Sequence, residues 1–189
     1  MKKDNSRRRF LAATALAAAA TTSSQRLAAN DVPEGEGPSM EGRIFKAVKG
    51  GKKNGETPLQ FFERLKKLGF DGVESGNARQ ASAYAEATEK TGVRFHGLVC
   101  GWHWGGNRLS SPDPEARAKG LANMEVDIRN TCRLGGSSVL LVPGKVGGQN
   151  ETHEQVWDRS ISEVKKVLPL ASRLGVRVLI ETVWNGFCA

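Results

Sequence analysis

From Arg43 to Ile180 the chain repeats one unit: a short apolar run, then a longer stretch whose apolar residues recur at helical spacing. The apolar runs predict strands over 43–49, 70–75, 93–100, 137–143 and 176–180. The longer stretches predict helices over 57–69, 81–91, 112–134 and 152–174. Thr57 followed by Pro58 reads as a helix cap and first turn, with Leu59, Phe62, Leu65 and Leu68 on one face and Gly69 as the stop. Leu121, Met124, Ile128 and Cys132 mark the inner face of the third helix. Val156, Ile161, Val164, Val167, Leu168 and Ala171 mark that of the fourth, which Gly175 ends. A helix between successive strands forces a crossover, so the five strands are predicted to lie parallel in an α/β fold. The run Ser137-Ser-Val-Leu-Leu-Val-Pro143 is nearly continuous in apolar residues, as a strand covered on both faces requires. An open doubly wound sheet and a barrel both satisfy this periodicity. Gly50-Gly51-Lys52-Lys53 after the first strand lacks the glycine spacing of a dinucleotide loop, which counts against nucleotide binding.

Residues 1–29 read as an export signal. Basic residues lead into Ser6-Arg7-Arg8-Arg9-Phe10-Leu11 and then a run of alanine and leucine too short to span a bilayer, which takes ~20 residues. The paired arginines resemble a twin-arginine signal, and the expected destination is the periplasm. Residues 30–42, rich in Gly, Pro and Glu, are expected to form a disordered linker, leaving 43–189 as the folded domain. The signal carries +5 of the formal +8 charge, so the remainder is only about +3 and has no basic excess for nucleic acid. Cys100, Cys132 and Cys188 are odd in number and widely spaced, and read as small buried hydrophobes.

Four segments in order carry a family resemblance: Leu68-Gly-Phe-Asp-Gly-Val-Glu74, Leu109-Ser-Ser-Pro-Asp-Pro-Glu115, Val139-Leu-Leu-Val-Pro-Gly144, and Leu174-Gly-Val through Ile180-Glu181 to Val183-Trp184-Asn185. Over roughly residues 43–187 the chain resembles the sugar phosphate isomerase/epimerase superfamily of xylose isomerase-like barrels. That resemblance chooses the TIM (β/α)8 barrel, here truncated to about five strands and four helices. It implies a divalent metal, Mn2+, Mg2+ or Zn2+, held by a Glu at the end of strand five, an Asp after strand six, a His after strand seven and a Glu after strand eight. Only the first position has a counterpart in this sequence, at Glu181. It would be both a metal ligand and an acid/base group. The implied chemistry removes a proton next to a carbonyl and stabilises the enediolate with a hard cation.

Sites in such barrels gather at the C-terminal ends of the strands. His103, with Trp102 and Trp104 on either side, follows strand three and is expected to meet a sugar hydroxyl while an indole packs on the ring. Glu74 ends strand two and Asn185 follows strand five, and both are candidate substrate contacts. Lys145, after strand four, could meet a phosphate or be an exposed loop lysine. His96 reads as a core histidine, His153 as a first-turn helix residue and Trp157 as helix packing. Partners are expected to be a sugar or sugar phosphate and, because five strands cannot close an eight-stranded barrel, a second copy or another chain supplying the rest. Neither nucleic acid nor a membrane span is expected. Two further readings stay open: an inactive barrel fragment or half-barrel, and a phosphodiesterase of the endonuclease IV type. The latter needs clustered histidines, and the three present are dispersed.

Overall fold

Among the described residues four α-helices and five strands follow the predicted order, with local chemistry at each boundary. The computed structural model describes residues 42–76, 79–146, 151–183 and 187. The proposed signal, and the linker up to Glu41, lie outside them. Helix α1 (Pro58–Lys67) starts at Thr57, whose hydroxyl accepts from Gln60 N at 3.2 Å while Gln60 Oε1 accepts from Thr57 N at 2.9 Å. This reciprocal cap satisfies two amides that the first turn leaves open. Helix α2 (Ala81–Thr91) ends at Gly92, where φ is +74°. A residue with a Cβ would be strained in that left-handed conformation. Helix α3 (Pro114–Arg133) is capped by Asp113, and α4 (His153–Arg173) repeats the reciprocal cap with Thr152 and Gln155.

The strands are β1 (Ala47–Lys49), β2 (Gly72–Ser75), β3 (Arg94–Val99), β4 (Ser138–Leu141) and β5 (Arg177–Ile180). All pairs are parallel and the order is β1-β2-β3-β4-β5. A doubly wound sheet reverses its strand order at a switch point, whereas a barrel adds each strand beside the last. The uninterrupted order is therefore that of a (β/α) barrel wall. One register row runs Lys49, Glu74, Gly97, Ser138, Arg177 across the whole sheet.

Val73, Phe95, Leu98, Val139 and Leu141 are buried against the helices. Edge-to-face rings link α1 to the sheet, from Phe62 to Tyr84 (5.6 Å) and Tyr84 to Phe95 (6.1 Å). Each ring fully removed from water contributes roughly 1.5–3 kcal/mol by burial alone.

Four expectations change. The first strand is three residues rather than seven, because the ladder starts only at Ala47 opposite Gly72. Just before it, Asp71 bonds Lys46 through both backbone and carboxylate, while Ile44 and Phe45 remain exposed. His96 is not in the core: its side chain is 54% exposed. A bulge explains this, since Val73 pairs with Phe95 but Glu74 pairs with Gly97, leaving His96 as the extra residue. Trp157 is 40% exposed, and Ile161 and Leu168 are exposed with it. Val156, Val167 and Ala171 are buried as expected, and Ser160, Glu163 and Leu170 share that buried face in place of Ile161 and Leu168. Leu68 lies beyond the last turn of α1 and is exposed. Cys100 is buried as read, Cys132 is only half-buried, and Cys188 is outside the described residues.

Candidate functional site at the C-terminal rim

Side chains alternate along a strand, so residues next to helix-facing ones point to the opposite, barrel-inner face. Val73 and Ser75 are buried on the helix side, which places Glu74 on the inner face. Ile180 lines a groove against α4 with Trp157 and Val164, which places Leu179 and Glu181 inward. Glu181 N donates to Leu141 O at 2.9 Å, carrying the β4–β5 ladder one step past Ile180. Its half-buried carboxylate thus stands on a backbone fixed by sheet pairing rather than on a free loop.

Glu74 is held at the middle of the wall. Its Oε1 lies 3.8 Å from His96 Nε2, and its backbone carbonyl accepts from Gly50 N at 2.9 Å. Gly97 beside it cannot carry a side chain, because a Cβ there would stand 2.7 Å from Ser138 Oγ and 3.0 Å from Ser138 O. The same Cβ would stand 3.7 Å from Glu74 Oε1, so the glycine lets β3 pass close to both Ser138 and the Glu74 carboxylate.

After β3 a short 3-10 turn, Gly101–Trp104, carries the three rim aromatics. His103 is only 6% exposed, yet among the described residues neither ring nitrogen has a hydrogen-bond partner. Leaving a buried polar group unpaired costs about 1–3 kcal/mol, so such a site calls for a reason. Burial first, and then the positive charge of Lys49, hold its pKa down from 6.5 to about 4. The imidazole is therefore neutral at physiological pH, with one donor and one acceptor.

The two flanking indoles differ. Trp102 turns toward α3 and donates its Nε1–H to Asp127 at 2.6 Å. Burial raises the Asp127 carboxyl, and the Trp102 bond works against that shift. Burial and the nearby Asp127 push the Cys100 thiol up as well. Trp104 is exposed and its ring lies 5.2 Å from that of His103. Lys145 is exposed on the loop after β4. Asn185 lies outside the described residues. The structure thus sets Glu74, His103, Trp104, Lys145 and Glu181 along one rim and ties Trp102 to a helix.

Sequence reasoning passed over Lys49. It ends β1 in the same register row as Glu74, so the signal that pointed to Glu74, a polar residue closing an apolar strand, was present there too. It also passed over the cluster in which His153 stacks on Trp157 (5.8 Å) and its Nε2 lies 2.9 Å from Phe187 O. That pairing spans 34 residues, and no local pattern announces it. Among the described residues no group of three or more His, Cys, Asp or Glu side chains could hold a metal ion. No helix among them is long and apolar enough to cross a membrane.

A sequence-family model for xylose isomerase-like TIM barrels matches residues 62–189. No curated protein matches the sequence. Among solved structures, a 3-keto-D-glucoside 4-epimerase from E. coli superposes with a TM-score of 0.66 at 18% identity, over 75% of this chain and 57% of that one. A D-psicose 3-epimerase solved in the presence of D-fructose superposes at 0.58 and 18% identity, over 74% and 53%. A D-allulose 3-epimerase from Methylomonas sp., in complex with D-allulose, does so at 0.54 and 19%, over 67% and 45%. The chain spans about half the length of these neighbours. At such identities the likeness is one of fold.

Proposed function

The chain belongs to the xylose isomerase-like TIM barrel family, and from that premise we propose that it serves the isomerisation or epimerisation of a sugar or sugar phosphate. The reaction moves a proton on a carbon next to a carbonyl, through an enediolate. The observation that carries this reading is the position of Glu181, a carboxylate just past β5, held at the rim by the hydrogen bond its backbone N–H donates to Leu141 O. The solved neighbours named as sugar epimerases support it.

In this reading Glu181 holds and returns the proton, because a carboxylate fixed within reach of an acidified C–H is a sufficient base. Glu74, His103 and Trp104 face the sugar, Lys145 is a further candidate contact from the loop after β4, and Asn185 is a candidate from the sequence alone. Trp102 acts one step back, through the turn that carries His103. A divalent cation, Mn2+, Mg2+ or Zn2+, would supply charge stabilisation to the enediolate when bound. Glu181 alone does not make a site for it, and the other donors would have to come from outside the described residues. The test is deuterium uptake at the carbon next to the carbonyl, followed by NMR in D2O with D-fructose, D-psicose and D-tagatose. The expected result is uptake by the wild-type protein that falls about 10²–10⁴-fold in Glu181→Gln. Uptake no faster than in buffer, for every sugar and with Mn2+ added, would reject the function.

A second reading rests on the β5 edge, where Leu179 and Ile180 are exposed beside the groove lined by Trp157 and Ile161. Here the chain is a half-barrel that gains its remaining wall from a second copy or another chain. Sedimentation showing a monomer that exchanges deuterium unaided would remove this reading. Export to the periplasm is the location that residues 1–29 support. Replacing Arg7 and Arg8 with Lys should leave a tagged precursor in the cytoplasm, and normal export of that variant would refute the assignment.

A further inference from the structure

His103 is a histidine that the fold has taken almost entirely out of water while neither nitrogen has a partner among the described residues. Its neighbours do not offer one. Trp104 meets it ring to ring, 5.2 Å between centroids. Trp102, whose ring centroid is 6.2 Å away, spends its only donor on Asp127. The 3-10 turn that carries it follows β3, while Lys49, which acts on its charge, ends β1. The turn thus stands at the C-terminal end of β3, beside the C-terminal end of β2 that carries Glu74.

We propose that His103 is a specificity-determining residue that takes an uncharged hydroxyl of the sugar, so that this part of the site selects an unphosphorylated polyol end over a phosphorylated one. The inference rests on the sugar-acting reading of the rim. A neutral imidazole offers one N–H and one lone pair, and a hydroxyl is itself both donor and acceptor. Two neighbouring hydroxyls can satisfy both nitrogens. A phosphate oxygen only accepts, so it pairs with the N–H and leaves the other nitrogen buried and bare. To gain from the phosphate charge the ring would have to be protonated. With its pKa near 4 that form is disfavoured about a thousandfold at pH 7. Lys49 is exposed, and its charge acts on the imidazole as a weaker cause than burial does.

The test uses the full chain with 13C- and 15N-labelled histidine, which gives three ring systems, from His96, His103 and His153. The His103 signals are those lost in His103→Asn. D-fructose and D-fructose 6-phosphate are then titrated at pH 7, and ring nitrogen shifts are recorded along with the dissociation constants. The expected result is a shift of both His103 nitrogens with D-fructose. Binding should weaken about 10–100-fold in His103→Phe and recover in part in His103→Asn, whose amide keeps a donor and an acceptor. Fructose 6-phosphate should bind more weakly than fructose. Tighter binding of the phosphate, or His103 signals that stay still while the sugar binds elsewhere, overturns this inference and leaves the general function standing. No binding of any ketose, together with no deuterium uptake, overturns both.

Discussion

Two histidines in this chain sit among aromatic rings, and they have opposite relations to their surroundings. His153, in the first turn of α4, stacks on Trp157 and places Nε2 2.9 Å from Phe187 O. His103, between Trp102 and Trp104, is more deeply buried and has no partner at either nitrogen among the described residues. The first cluster is closed on itself, and its polar atom joins α4 to the segment after β5. The second is left open, which costs stability and leaves both ring nitrogens able to take a partner. Aromatic company alone does not separate a structural histidine from a functional one. Whether its hydrogen bonds are already made does.

Acid should break the contrast most. The His103 pKa is depressed from 6.5 to about 4, so below pH 6.5 the unfolded chain takes up a proton that the folded one refuses. The His103 contribution is fully present above pH 6.5, falls as pH drops toward 4, and changes no further below that. Over the whole window the loss amounts to about 3 kcal/mol. Urea unfolding at pH 7 and pH 5, for wild type and His103→Phe, should show a steeper loss in the wild type. Equal slopes would contradict the buried, neutral state of His103.

The closed cluster should be the more sensitive to shape. A Cβ at Gly144 would stand 2.8 Å from the Phe187 ring, so Gly144→Ala should cost about 1–3 kcal/mol in thermal unfolding. No destabilisation would mean that Phe187 does not pack there in solution. Next comes His153→Ala, which removes the contact to Phe187 O and the stack on Trp157, an expected loss of about 1–2 kcal/mol with ketose binding unchanged. The smallest effect on stability belongs to His103→Phe at pH 7, within about 1 kcal/mol of wild type, because it removes an unpaired polar group while keeping a ring. A loss as large as that of His153→Ala would make the two histidines alike and end the comparison.

Much of the wall was legible. Helix α2 falls on its predicted residues, and the other elements differ by a few residues at their ends, because caps and glycine stops are local signals. His96 was misread because period-2 reasoning assumes an unbroken strand, and the bulge at Val73/Glu74 adds a residue to β3. Trp157 was misread because α4 carries apolar residues on two flanks, and periodicity cannot say which flank faces the sheet. Of the rim, Glu74, His103, Trp104, Lys145 and Glu181 were legible as residues closing or following strands, while Lys49 went unnoticed.

What the sequence determined by itself was the alternation of strand and helix, hence parallel pairing, because each element's period and caps are written within a dozen residues. Only the tertiary structure decided the sequential strand order that makes this a barrel wall. It alone showed that Trp102 is spent on Asp127 while His103 beside it is spent on nothing. Those outcomes depend on groups that meet from distant parts of the chain. Whether a buried nitrogen finds a partner is a property of the packed assembly, and no local pattern encodes it.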